Sequence, residues 1–206
     1  MACTSYKLSK IETSCGSNIP SIKKMWVGAF ESAEIKHNVA SETAADYADV
    51  NVQMVDNTPV LDEDGNKIIE NIKNAALATG ADNWVEFAFK KNTCSADTEM
   101  TVNDNGSHYF TNSVNMVFAR QDAAKRLNVQ ALASGDCSVI YQDGNNNYWF
   151  IGLDQPVNLT TATATTGTAV GDSNQYDLVL AEESAIMPVP VLASVAETII
   201  STLTGE

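Results

Sequence analysis

Cys137-Ser138-Val139-Ile140-Tyr141-Gln142-Asp143-Gly144-Asn145-Asn146-Asn147-Tyr148-Trp149-Phe150-Ile151-Gly152-Leu153 is the stretch that decides the class of fold. Two short, largely apolar runs, Cys137 to Gln142 and Tyr148 to Leu153, flank a loop of Asp, Gly and Asn. Each run has the length of a strand, and its β-branched and aromatic residues suit a pleated surface. The polar residues between them supply turn chemistry. The pattern predicts two adjacent strands.

Working upstream, Gln121 to Ala133 reads as a helix, with Ala123, Leu127 and Ala131 four apart and Leu132 beside them, stopping before Gly135. Ser107 to Phe118 and Asn83 to Lys90 read as strands. Asp104-Asn105-Gly106, before the first of these, predicts a type I′ hairpin turn pairing the two longest strands, because Asn-Gly readily takes positive φ. Residues 46–56 alternate apolar and polar from Ala48 to Met54, as a half-buried strand does. Thr58-Pro59 breaks that run, Leu61 to Asn66 forms a turn, and Lys67 to Ala78 reads as helical, closed by Gly80. Ile22 to Phe30 reads as an early strand.

Downstream, the Thr/Ala-rich Thr160 to Thr168 reads as a mobile surface loop, and Tyr176 to Ala181 as a last strand. Met187 to Val191, with two prolines, reads as an extended linker. Leu192 to Leu203 carries Leu192, Val195, Ile199, Ile200 and Leu203 on a short amphipathic helix that packs on its own domain or on a neighbour. The expected fold is mainly β: a β-sandwich or barrel with one flanking α-helix, terminal arms and a short C-terminal helix. The expected division is an arm over 1–20, a domain over 21–187 and a linker with helix over 188–206.

The chain has 206 residues and a formal net charge of -14, unevenly spread. Residues 1–40 carry five Lys against three acids. Beyond Arg126 there is no Lys or Arg, while nine Asp and Glu remain. Proteins that hold phosphates put cations on them, so the C-terminal half is not built to bind nucleic acid. An acidic surface serves solubility, or keeps one face of an assembly negative. No apolar run reaches the roughly 20 residues of a membrane span, and the N-terminus lacks the apolar core of a secretory signal, so cytoplasmic synthesis is expected.

Chemistry is sparse. Cys3, Cys15, Cys94 and Cys137 form no CxxC pair and lie far in sequence from His37 and His108, which argues against zinc. The cysteines read as reduced, small apolar residues. A Cys3–Cys15 bridge is one alternative, and four cysteines allow three pairings. Asp62 to Asn66 and Asp143 to Asn145 hint at calcium loops, but neither has the bidentate Glu in register. No nucleophile has a base at motif spacing, and no glycine pattern cradles phosphate. Neither catalysis, a metal nor a cofactor is expected. The aromatics Trp84, Phe87, Phe89, Tyr109, Phe118, Tyr148, Trp149 and Phe150 sit inside strand runs, where core packing is a simpler reading than a sugar platform.

The order from Asn83 onward resembles a known group. Trp84-Val85-Glu86-Phe87-Ala88-Phe89, a long alternating strand, the helix Asp122 to Arg126, the hairpin Ser138 to Asp154, Thr166-Gly167-Thr168-Ala169 and a final strand are similar to the tail tube proteins of tailed bacteriophages. The Met1-Ala2-Cys3 start with Cys15 is similar too. The likeness covers roughly 120 residues well and the first 80 loosely; residues between Val55 and Asn83 depart from it.

The resemblance implies a virion protein of the tail, made in the host cytoplasm, that associates with itself in stacked rings, six-fold by expectation, and with other virion proteins. Strands would line a channel through which DNA passes without being bound, with no membrane involved. Edge chemistry fits this, since an alternating strand such as Tyr109 to Phe118 leaves unpaired backbone groups unless a neighbour continues the sheet. Residues 1–20 and 188–206 would join subunits. The candidate lumen acids, on or beside predicted strands, are Glu86, Glu99, Asp104, Asp143, Asp154, Asp172 and Asp177. The alternatives are a head-decoration, head-completion or fibre-base protein of the same virion class, and a glycan-binding surface module.

Overall fold

The computed structural model describes residues 18–30, 50–52, 54–55, 58–59, 69–72, 84–90 and 92–204, with backbone alone for the segments within 50–59 and for 199–204. Its elements are β1 (Ile22–Ala29), β2 (Val50–Val52), β3 (Met54–Val55), β4 (Thr58–Pro59), β5 (Ile69–Ile72), β6 (Trp84–Glu86), β7 (Ser95–Val102), β8 (His108–Ala119), α1 (Ala123–Leu132), β9 (Cys137–Asp143), β10 (Tyr148–Ile151), β11 (Asn158–Thr165), β12 (Gln175–Ser184), β13 (Val189–Val191) and α2 (Ala193–Thr204). The chain is mainly β, with two principal sheets, as expected.

The larger sheet has the order β2-β5-β13-β10-β9-β1-β6, the smaller β11-β12-β8-β7; β3 and β4 pair separately. In the larger sheet the hairpin of β9 and β10 is central, with Ile140 opposite Phe150 and Tyr141 opposite Trp149. Successive side chains of a strand point to opposite faces. Trp26, Ile140, Tyr148, Phe150, Val189 and Val191 therefore fill one face, where Val195 and Ala196 of α2 cover them. Met25, Val27, Val139, Tyr141 and Ile151 fill the other, packed on Val114, Met116, Leu178 and Leu180 of the smaller sheet. The layers are thus α2, the seven-stranded sheet and the four-stranded sheet. Burial on both faces is why Cys137 to Tyr141 are all buried and, Ser138 apart, read as an apolar run.

α1 closes one end of the sandwich. Asp122 caps its N-terminus by accepting a hydrogen bond from the Lys125 backbone N–H at 2.9 Å, satisfying one otherwise unpaired donor. Val129 and Leu132 lean on the core between the sheets, but none of the ten helix residues is buried.

Several expectations change. Thr160–Thr168, expected as a loop, contributes most of β11, an edge strand paired with β12 from Asn158 opposite Ala181 to Thr165 opposite Gln175. Its β-branched threonines tolerate a strand that buries almost nothing. Ile69–Ile72, expected as helix, is β5; pairing with β2 and β13, distant in sequence, overrides the local 3-to-4 spacing of its isoleucines. The rest of that expected helix lies outside the described residues.

Val189–Val191, expected as a linker, is strand β13 inside the larger sheet, and α2 packs on its own chain through Val195 and Ala196. β8 is an inner strand paired on both sides, so the open edges of its sheet are β7 and β11 instead. The turn between β7 and β8 is not type I′: Gly106 has φ +84 while Asn105 is not at positive φ, and the Gly106 N–H donates to the Asn103 carbonyl. A single glycine at positive φ after an ordinary turn suffices. The hairpin joins the longest strand to one of eight residues, shorter than β12.

The 1–17 part of the expected arm, Cys3, Cys15, His37 and the Asp62 loop lie outside the described residues. Cys94 and Cys137 are free and buried. Among the described residues no helix is long and apolar enough to cross a membrane.

Candidate functional site

The smaller sheet has one face in the core and one face on which no described element packs; this bare face is the candidate site. Pairing register fixes its membership. Asn112, Val114 and Met116 of β8 point inward, so Thr111, Ser113, Asn115 and Val117 point out. Their partners across the ladders share that side: Glu99, Asp97 and Ser95 on β7, and Glu183, Ala181, Val179 and Asp177 on β12. Thr161 and Thr163 of β11 complete it, opposite Val179 and Asp177.

The four strands of this sheet contain no Lys or Arg. Four carboxylates, Asp97, Glu99, Asp177 and Glu183, stand among Ser, Thr and Asn. Glu99, Thr111 and Glu183 form one row across three strands. Neighbouring strands lie about 4.8 Å apart, which puts those two acids roughly 10 Å from each other. Asn115 Nδ2 donates to Asp97 Oδ2 at 2.9 Å, and Gln175 Nε2 to Asp177 Oδ1 at 2.7 Å, so these two carboxylates are held in place. Among the described residues the face is negative and carries no Lys or Arg, with Val117, Val179 and Ala181 interspersed among its polar side chains, so it can repel polyanions.

Of the seven acids proposed from sequence, Glu99 and Asp177 lie on this face. The other five are scattered. Glu86 is on β6, the edge of the other sheet. Asp104 sits exposed at the tip of the β7–β8 hairpin, and Asp154 is exposed just after β10.

Asp143 and Asp172 organise loops. The Asp143 carboxylate accepts from the backbone N–H groups of Asn145 and Asn147, from Asn147 Nδ2 and from Trp149 Nε1. Burial pushes its pKa up, but the hydrogen bonds from Asn147, Trp149 and Asn145 outweigh this and hold it below the usual value. Asp172 is lowered by the backbone N–H groups of Thr168 and Ala169 and the Thr168 hydroxyl. Both are structural acids. Asp97 and Glu183 were missed from the sequence, although Ser95, Asp97, Glu99 and Thr101 alternate at strand spacing.

One acid of the sheet points the other way. Glu182 is 6% exposed and sits between the layers, opposite Asn112, which is fully buried. Asn112 Nδ2 donates to Glu182 Oε1 at 2.8 Å and to the Ile186 carbonyl at 3.0 Å, while Glu182 Oε2 has no hydrogen-bond partner among the described residues. Burial raises the carboxyl to about 7, against hydrogen bonds from Asn112 and the Gly152 N–H, with Asp154 adding a smaller push upward.

The aromatics Trp84, Tyr148 and Phe150 are buried, and Phe87 meets Phe118 edge to face at 5.7 Å. They pack the core and form no platform. His108 is exposed at the start of β8, edge-on to Phe110. Among the described residues no group of three or more His, Cys, Asp or Glu is arranged to hold a metal ion. Burial, then the nearby Asp136, pushes the Cys137 thiol up to about 12, which keeps it inert as a nucleophile. No family model matches the chain, and neither does any curated protein or solved structure.

Proposed function

We propose that this chain is a structural subunit of a phage tail tube, assembling into stacked rings, six-fold by expectation, whose bore is lined by the bare face of the four-stranded sheet. The observation that carries the reading is that face: four carboxylates, a field of Ser, Thr and Asn, and no cation on any of its strands. DNA carries about one charge per 1.7 Å of axis, and each cation offered to it releases counterions and gains affinity. A conduit must avoid that grip. Both edges of the same sheet, β7 and β11, are unpaired by any other described strand, so a neighbour's edge can continue the ladder on either side and close a ring.

The test has two parts. Electron microscopy of the purified protein at rising concentration should show rings or tubes; monomers or trimers alone point to a head protein. In virions carrying Glu99→Lys and Asp177→Lys together, particles should still assemble while DNA ejection slows, most at low ionic strength. Wild-type ejection at every salt concentration would count against the conduit.

A further inference from the structure

At one end of the sandwich the chain crosses between its two sheets twice, and a buried polar cluster sits where it does so. Residues 152–157 carry the chain from β10 to β11, and residues 185–188 carry it back from β12 to β13. Thr98, Asn112 and Glu182 stand directly opposite one another across β7, β8 and β12. Thr98 Oγ1 donates to Asn112 Oδ1 at 3.0 Å, which turns the amide so that Nδ2 serves both Glu182 Oε1 and the Ile186 carbonyl. Asn112 thus ties the carboxyl to the second crossing. The first crossing is held at Gly152, whose carbonyl accepts from Ser138 Oγ at 3.0 Å and whose N–H supports the charged form of Glu182. Gly152 has φ +94, and a Cβ there would lie 2.9 Å from Ser138 Cα, so its backbone is wedged against β9.

Nothing positive joins this cluster. Among the described residues the charged group that acts on Glu182 is Asp154, exposed just past the first crossing, and it repels. Asp136, just before β9, is taken up by Asn158 Nδ2 at 2.6 Å, and Glu183 points to the bare face. His108 is on the Asn112 side of β8 but four residues away, exposed at the hairpin tip. Arg120, Lys125 and Arg126 lie beyond the C-terminal end of β8, and Lys24 lies opposite Gln142, four residues along β9 from Ser138. An ionised Glu182 therefore leaves Oε2 as a buried negative oxygen with no partner, a state costly enough that the group either keeps its proton or reaches water. Water is close. A groove of about 610 Å³ opens on the bare side of this end, lined by Thr111, Gln155, Pro156, Glu182 and Glu183.

We infer that Glu182 is a proton-operated latch on the two crossings: with its proton it holds them against the smaller sheet, and without it the Gly152–Asp154 corner swings away and admits water to the carboxyl. The event is local. The β8 ladders with β7 and β12 run on past Asn112 in both directions, so the end of the sandwich opens while its body stays paired. Because the closed form binds the proton more tightly than the open one, low pH closes the corner and rising pH opens it. The latch belongs to a single chain and does not depend on the assembly proposed above.

The test is hydrogen exchange of the full-length protein, read by NMR between about pH 4 and 8, with intrinsic rates divided out and with low urea added in a second series. The opening constant at Gly152 and Leu153 should climb about tenfold per pH unit between 4.5 and about 7 and level off above that. It should respond little to urea, because a local opening exposes little surface. Tyr176–Val179, paired with Phe118–Asn115 away from the corner, should be better protected and should follow urea as global unfolding does. Glu182→Gln should hold the corner at its low-pH protection throughout, and Asp154→Asn should bring the plateau to lower pH. Direct titration of the Glu182 carboxyl by carbon-detected NMR should place its midpoint at the start of the plateau, a reading that needs no variant to fold. The latch is overturned if the corner's protection is flat with pH, if Glu182→Gln keeps the climb, or if the carboxyl titrates at its ordinary value. It is equally overturned if Gly152 and Leu153 match Tyr176–Val179 in protection and urea response, since the corner would then open only with the whole domain.

Discussion

The two sheets differ in how many of their faces are dry. In the seven-stranded sheet, β9 has its first five residues buried, pointing alternately to α2 and to the other sheet. In the four-stranded sheet, β8 and β12 bury alternate residues, and β11 buries almost none. The first sheet is therefore a foundation whose identity is packing. The second is a surface, where side chains are free to be selected for what they face. That freedom explains why the cation-free chemistry is found on the thin sheet.

The largest expected difference between them is in stability. Phe150→Ala, inside the foundation, should cost roughly 3–5 kcal/mol from lost burial and the cavity left, whereas Ser113→Ala on the bare face should stay within about 0.5 kcal/mol. Urea midpoints of the two variants check this. Equal losses would mean that the bare face is covered within a single chain.

A comparably large effect should come from Glu182, the one acid pointing from the surface sheet into the foundation. A carboxyl near 4.5 in the unfolded chain and about 7 in the folded one binds its proton more tightly when folded. Its contribution is fully present below pH 4.5 and is lost as pH rises through 7, by roughly 3 kcal/mol at about 1.4 kcal/mol per unit. Denaturation from pH 5 to 8 should show wild type weakening across this window, and Glu182→Gln removing that part of the slope. A slope unchanged by the substitution would place the titrating group elsewhere.

A smaller effect tests the edge of the foundation. A Cβ at Gly28 would lie 2.6 Å from the Trp84 ring, which holds β6 against β1. Gly28→Ala should cost about 1–3 kcal/mol through overpacking, and hydrogen exchange should show the loss concentrated at Trp84–Glu86. Uniform loss of protection would mean that β6 is no separate edge. Smallest of all, Thr163→Ala on β11 should move stability by less than about 0.5 kcal/mol and leave thermal unfolding unchanged.

The same contrast governs what the sequence discloses. The β9–β10 hairpin was legible because two-sided burial makes strands read as apolar runs. α1 was legible from the four-residue spacing of Ala123, Leu127 and Ala131 and from the stop before Gly135. β11 was not, since a strand with nothing to bury leaves only Thr and Ala, which also compose loops. β5 was misread because its partners, Val50–Val52 and Val191, lie far along the chain. The acidic composition was visible, yet only register could gather Asp97, Glu99, Asp177 and Glu183 on one side while assigning Asp143 and Asp172 to their loops.

The join between residues 18–21 and the β9–β10 turn has a mechanical consequence. Ile19 N–H donates to Asn145 Oδ1, Asn145 Nδ2 donates to Asn18 Oδ1, and Gly144 lies so close to the Ile19 carbonyl that no Cβ would fit. Tension applied at Asn18 therefore enters at this knot. It passes along β1, whose ladders with β9 and β6 run side by side. Pulled lengthwise, those rungs share the load simultaneously instead of parting one after another like a zip. The sheet takes the strain in shear, its strong direction, so a pull applied at Asn18 loads both ladders of β1 together.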